Sequence, residues 1–223
     1  MISNGDVEGL WRYERKYVTD KLKVEELEDY VLSHPGLFRQ IYYPRQVMSI
    51  YFDTEELDYY QQNELGIQQR RKVRVRWYEH EGQSSVMQIE VKIREGGVMK
   101  KAKFLLSKRV AEVDLDEVKR LMEKELMGLV EEVYLLKPVV VAGYERRYFL
   151  SESLKVRITL DADLRFQAMG DWQAGRITSE WGLKVLECKY GVESDFEFVR
   201  VAERLPLRVS KSSKYMMGVQ QCY

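Results

Sequence analysis

Hydrophobic and polar residues alternate with period two along several stretches of the chain, as on β-strands, where successive side chains leave on opposite faces. The clearest is Arg70 to Trp77: Lys72, Arg74 and Arg76 share one face, and Val73, Val75 and Trp77 the other. Trp11 to Val18 sets Glu14 and Lys16 against Tyr13, Arg15 and Tyr17. Val86 to Arg94 sets Gln88, Glu90, Lys92 and Arg94 against Met87, Ile89, Val91 and Ile93. Leu154 to Leu160 sets Lys155, Arg157, Thr159 and then Asp161 against Val156, Ile158 and Leu160, and Leu183 to Tyr190 sets Glu187 and Lys189 against Leu186 and Cys188. Gln46 to Phe52 and Val139 to Phe149 read as further strands, the first one buried. Another holds Lys101 and Lys103 after the turn Glu95-Gly96-Gly97, and Glu81 to Ser85 turns the chain back before it.

Helical periodicity fills the gaps. The spacing predicts a helix from Lys23 to about Ser33, stopped by Pro35-Gly36, and another from Glu55 towards Glu64, capped by Asp53-Thr54 and stopped at Gly66. A strongly amphipathic helix is expected over Asp114 to Leu135, with Val118, Leu121, Met122, Leu126, Leu129 and Val133 as its stripe. A last one runs from Ser194 to Arg204 before Pro206. Residues 166–182, rich in Gly, Gln and Trp, read as a hairpin or irregular excursion. With no long linker or repeat, residues 1–223 form a single domain.

Helices with one apolar stripe must lie on apolar strand faces. If they dock on the outside, the charged faces point inward around a water-filled space, and a closed antiparallel barrel is the simplest architecture that satisfies both. A conventional core with the charged faces in solvent satisfies the strands equally well, and periodicity does not choose between them.

Composition narrows the chemistry. Lys plus Arg equals Asp plus Glu at 36 each, so a cationic site has to come from local arrangement and no nucleic-acid partner is expected. Cys188 and Cys222 form no metal spacing or disulfide framework, which suits a reducing cytoplasm. There is no secretory start and no apolar run near the ~20 residues that span a bilayer, so the expected setting is cytoplasmic. A Gly-rich phosphate loop and a His-Glu-x-x-His motif are absent, and His34 and His80, unlinked, are expected to be exposed.

The inward set would be Lys16, Lys72, Arg74, Arg76, Lys92, Arg94, Arg146 or Arg147, Arg157, Lys189 and Lys214, set against Glu14, Glu90, Asp161 and Glu187. So many cations in one enclosure repel one another unless a polyanion fills it, and Arg forks and Lys point charges are what phosphate oxygens require. The carboxylates would then be oxygen ligands for Mg2+ or Mn2+, or simply ion-pair partners of neighbouring cations.

A set of short motifs resembles, in order, the VTC domain: Glu14-Arg15-Lys16, Ser49 to Thr54, Arg74-Val75-Arg76, Glu90-Val91-Lys92, Tyr144-Glu145-Arg146, Arg157 to Asp161, Leu186 to Lys189 and Ser213-Lys214-Tyr215. This is the catalytic domain of the vacuolar transporter chaperone polyphosphate polymerase, in the triphosphate tunnel metalloenzyme (CYTH-like) superfamily. The resemblance implies an α+β fold, an eight-stranded antiparallel β tunnel barrel with a charged interior and helices packed outside. It implies transfer of the terminal phosphoryl group of ATP to a polyphosphate chain, with Mn2+ or Mg2+. A tri- or polyphosphate hydrolase and a non-catalytic polyphosphate-binding module are the alternatives. Carried over by position, Lys16, Arg74, Arg76, Lys92, Arg146, Arg157 and Lys214 would clamp phosphates, with Ser213 beside the last and Lys189 on the same wall. Glu187 would be the principal metal ligand, helped by Glu14 and Glu90. Lys100, Lys101 and Lys103 compete for one further basic role, with Lys101 preferred, and Arg147 competes with Arg146. The eukaryotic polymerase works in a membrane assembly with a sensor domain. These residues hold neither sensor nor membrane span, so a membrane partner protein is left open, as is the oligomeric state.

Overall fold

The computed structural model describes residues 12–80, 83–95, 98–109, 112, 114–169 and 179–223. Trp11, the turn residues 81–82 and 96–97, and most of the excursion expected over 166–182 lie outside the described residues. The strands are β1 (Arg12–Thr19), β2 (Arg39–Asp53), β3 (Arg70–His80), β4 (Gln83–Ser84), β5 (Val86–Glu95), β6 (Val98–Arg109), β7 (Lys137–Ser151), β8 (Val156–Ala168), β9 (Ser179–Trp181) and β10 (Lys184–Gly191). The helices are α1 (Val24–Leu32), α2 (Asp58–Glu64), α3 (Leu115–Leu126), α4 (Asp195–Ala202) and α5 (Lys214–Cys222). Eight strands make one curled antiparallel sheet in the order β1-β10-β8-β7-β2-β3-β5-β6, and the short β4 and β9 hang on β3 and β8.

Apolar strand faces point outward, and helices cover them. Val73, Val75, Trp77, Ile89 and Val91 of β3 and β5 share one core with Val118, Met122 and Leu126 of α3. Ile158, Leu160, Leu186 and Cys188 share another with Leu27 and Val31 of α1 and Phe198 and Val201 of α4. The charged faces are thereby left inside, which decides between the two architectures that periodicity allowed.

The tunnel closes in an unexpected way. Among the described residues β1 and β6 do not pair, so the ladder is open at that seam. The free edge of β1 is occupied by the segment before α5 instead: Val209 bridges Tyr17, and Ser210 donates its N–H to the Lys16 carbonyl at 2.8 Å. From there α5 turns into one end of the bore. Tyr215 stacks on Tyr51 at 5.3 Å. A Cβ on Gly218 would come within 2.9 Å of both Phe166 and Val140, so only glycine lets the helix sit this close to the wall.

Several boundaries differ from expectation. Helix α2 begins at Asp58, not Glu55, because the buried Asp53 carboxylate accepts the N–H groups of Tyr59 and Tyr60 (2.9 and 3.0 Å) from below and Thr54 Oγ1 accepts that of Asp58. Glu55 to Leu57 is left as a turn. Helix α3 stops at Leu126, since Gly128 at φ +83° ends it as a left-handed residue does, and Val133–Leu135 is a separate 3-10 turn. Strands β2 and β8 are longer than the patterns showed. His34 is buried, accepting the Gly36 N–H on Nδ1 at 2.8 Å. No helix among the described residues is long and apolar enough to cross a membrane.

Candidate active site: a cationic tunnel

Because inward side chains recur at every second residue on neighbouring antiparallel strands, they form rows across the wall. One row runs Lys16, Glu187, Thr159, Tyr148, and another Tyr51, Arg74, Glu90. The enclosed cavity has a volume of about 190 Å³ and is walled by eleven cationic side chains and three carboxylates. Pockets that bury a drug-sized molecule usually measure roughly 300–1,000 Å³, so this space suits a slim anionic chain.

Of the predicted site residues, Glu14, Lys16, Arg74, Arg76, Glu90, Lys92, Lys101, Arg146, Glu187, Lys189, Ser213 and Lys214 all line the cavity. Arg157 does not. It stands on the same strand face, but opposite Lys189 at the sheet's margin, and is exposed. Arg146, not Arg147, enters the bore, while Arg147 turns outward to Glu28 of α1 and Glu145. Lys101 lines the cavity, Lys103 is exposed outside it, and nothing is described of the Lys100 side chain. Lys72 and Arg94, in the inward set, also face the cavity, joined by Arg70, Tyr51, Tyr144 and Ser212.

The carboxylates divide into three stations. Glu90 is gripped by Arg74 Nε at 2.7 Å, with Arg76 and Lys101 each at 3.7 Å. Burial opposes its ionisation, but these cations outweigh burial and hold its carboxyl far below the usual range. Asp161, fully buried behind the wall, takes Arg146 at 2.5 and 2.7 Å and also Lys214. Glu14 and Glu187 flank Lys16 at 3.0 and 3.5 Å, and Glu187 also meets Lys189. Burial and mutual repulsion disfavour the charge on Glu14, while Lys16, Lys92 and Lys189 keep it ionised.

The remaining cations have little to neutralise them. Arg70 and Arg94 face each other as like-charged register partners. Lys72 donates to Ser213 Oγ at 3.1 Å and has no carboxylate partner among the described residues. Burial, then Lys16, Lys92, Arg70 and Arg74, push its pKa down to about 7, and Lys101 is pushed down to about 8 mainly by burial. An anion beside Lys72 restores the charged form and raises that pKa. Binding is thus favoured below about 7 and weakens as pH rises through the bound-state value. We expect tripolyphosphate binding at about pH 8 to take up protons, and Lys72→Met to take up fewer. Calorimetry in two buffers of different ionisation enthalpy measures the uptake.

The periodicity showed the cations but not Tyr51 and Tyr144, whose hydroxyls accept from Arg74 Nη1 at 3.2 Å and Arg76 Nη2 at 2.9 Å. Aromatic residues within apolar runs read as core, and only the register shows them facing inward.

A curled antiparallel sheet with a cation-lined bore and helices outside is the tunnel architecture of the triphosphate tunnel metalloenzyme (CYTH-like) superfamily. The VTC domain family model matches residues 11–223, and the chain belongs to that family. Solved structures of the same fold include candidate adenylate cyclases from Vibrio parahaemolyticus (14% identity, TM-score 0.55, covering 94% of this chain and 99% of that one) and Bacillus halodurans (16%, 0.56, 92% and 94%). A candidate adenylyl cyclase from Hippeastrum with a dominant triphosphatase activity is similar at 11% identity and TM-score 0.55, covering 95% and 96%. No curated protein matches the sequence.

Proposed function

We propose that the protein is an ATP-dependent polyphosphate polymerase, moving the terminal phosphoryl group of ATP onto a polyphosphate chain held in the tunnel. The observation that supports this is the wall itself: eleven cations against three carboxylates around a narrow bore, in a chain of the VTC family. Phosphoryl transfer asks little covalent work of a protein, since in-line positioning and neutralisation of the equatorial oxygens supply most of the catalysis. Arg74, Arg76 and Arg146 are preorganised for this by Glu90, Tyr144 and Asp161. Lys16, Lys72, Lys92, Lys189 and Lys214 add point charges along the phosphate chain.

Among the described residues no three His, Cys, Asp or Glu side chains gather into a metal cage. Mg2+ and Mn2+ commonly take only one or two protein carboxylates, with substrate phosphates and water completing the shell. Glu14 and Glu187, brought together on Lys16, fit that role, and a cation would relieve their repulsion. Glu90 is committed to three cations and fits it less well. A bound ion would supply charge neutralisation at the reacting phosphates.

The test is incubation with γ-labelled ATP and Mn2+, with products resolved by gel and thin-layer chromatography. The expected result is a ladder of acid-labile polymer, absent with Arg74→Ala. Free phosphate without polymer identifies a triphosphatase instead, and tight polyphosphate binding without turnover identifies a binding module.

A further inference from the structure

Strand β2 carries an anomaly that the phosphate tunnel does not explain. It is a central strand, between β7 and β3, yet it contains Pro44, and Pro is tolerated inside sheets only at free edges or bulges. Here it has both. Pairing with β3 begins only at Gln46, so, among the described residues, 39–45 pair with β7 alone, and that pairing slips between Gln40 and Tyr42 and again between Tyr42 and Arg45. Bulges of this kind re-aim side chains and gather beside functional sites. Tyr42, edge-on against Tyr148 at 5.5 Å, and Tyr43 are left as exposed aromatics, Tyr43 at 82%. Together with Arg45, Tyr78 and Ser85 they line a second cavity of about 850 Å³.

This cavity adjoins the phosphate tunnel. Arg45 is the register partner of Arg146, Tyr78 stands two residues beyond Arg76 on β3, and Tyr148 two beyond Arg146 on β7. One such step is about 7 Å along a strand. The Arg45 guanidinium lies over the rings of Tyr42, Tyr148 and Tyr78 at 4.7, 5.7 and 5.9 Å, and no carboxylate among the described residues pairs with it. The Tyr148 hydroxyl is buried and has no hydrogen-bond partner among the described residues.

We infer that this cavity is a nucleoside subsite: it seats the base and ribose of the nucleoside triphosphate whose phosphates enter the tunnel. The inference rests on the tunnel's binding of phosphate chains. Exposed tyrosine rings offer stacking surfaces that any base can use. The first part of β2, which has no β3 partner among the described residues, offers backbone groups to a base edge. Arg45, unneutralised and adjacent to Arg146, meets the first phosphate or the ribose as the chain passes inward. The same edge could pair with an extended peptide, but Pro44 and two register slips spoil it for strand addition.

The experiment compares ATP with tripolyphosphate, which shares the phosphates and lacks the nucleoside, by calorimetric titration with Mn2+ present. Tyr43→Ala and Tyr42→Ala are each expected to weaken ATP binding roughly ten-fold while leaving tripolyphosphate within about two-fold, as loss of one base stack predicts. Tripolyphosphate binding also reports that each variant is folded. Equal losses for both ligands, or no loss for either, overturn the subsite and leave the tunnel reading standing. Wild-type protein that binds neither ligand overturns the tunnel reading, and the subsite with it.

Discussion

Asp161→Asn is expected to lower the free energy of unfolding by about 3–5 kcal/mol, the usual loss when one partner of a buried ion pair is removed. Asp161 is fully buried and holds two cations at once, Arg146 through a bidentate contact and Lys214 from the first turn of α5. Asparagine keeps the shape but leaves both charges uncompensated. Burial opposes its charge, yet Arg146 and Lys214 hold the Asp161 carboxyl below its ordinary value in the folded state. Its stabilisation is therefore complete above the unfolded carboxylate pKa of roughly 3.9 and disappears as pH falls through the lower folded value. Urea unfolding at neutral pH measures the deficit. Tripolyphosphate should raise the melting temperature of the variant more than that of the wild type, because phosphate oxygens replace the missing carboxylate beside Arg146 and Lys214. An equal rise in both would mean that bound phosphate does not reach these two residues.

Glu187→Gln is expected to reduce turnover at least about a hundred-fold while leaving the affinity for tripolyphosphate within a few-fold, in line with the several kcal/mol that a positioned divalent ion contributes. The geometry argues for the asymmetry. Glu187 sits between Lys16 and Lys189, so neutralising it frees Lys189 for phosphate, leaves Lys16 with Glu14 alone, and takes no cation away from ground-state binding. What is lost is the shared negative wall with Glu14. Single-turnover rates over a range of Mn2+ concentrations check this. Full activity of the variant at saturating metal would remove Glu187 from its assigned role.

Strand faces are encoded locally, which is why Lys16, Arg74, Lys92, Glu187 and their neighbours could be placed on one wall from period two alone. Four things escape that reading. Arg157 has the right face, but a face says nothing about where along a strand the enclosed space ends, and Arg157 lies beyond it. The choice of Arg146 over Arg147 hangs on register with Asp161 across β7 and β8, a long-range pairing. The first half of β2 was hidden by Pro44, normally a sign against a central strand, because the missing β3 neighbour that makes it acceptable is a tertiary fact. Asp53-Thr54 was recognised as capping chemistry, but not that its target lay four to seven residues ahead.

The segment from Val209 to Lys214 comes after every strand in chain order, yet it seals the β1 edge and delivers Ser213 and Lys214 to the bore. During synthesis the complete sheet can therefore form while the tunnel is still unfinished. Ser213 and Lys214 reach the bore only once α5 docks, after the strands that carry the other ten lining cations have been made. A nascent chain halted before Ser210 would have every strand of the wall but lack Lys214 and the Ser210 bond that covers the β1 edge.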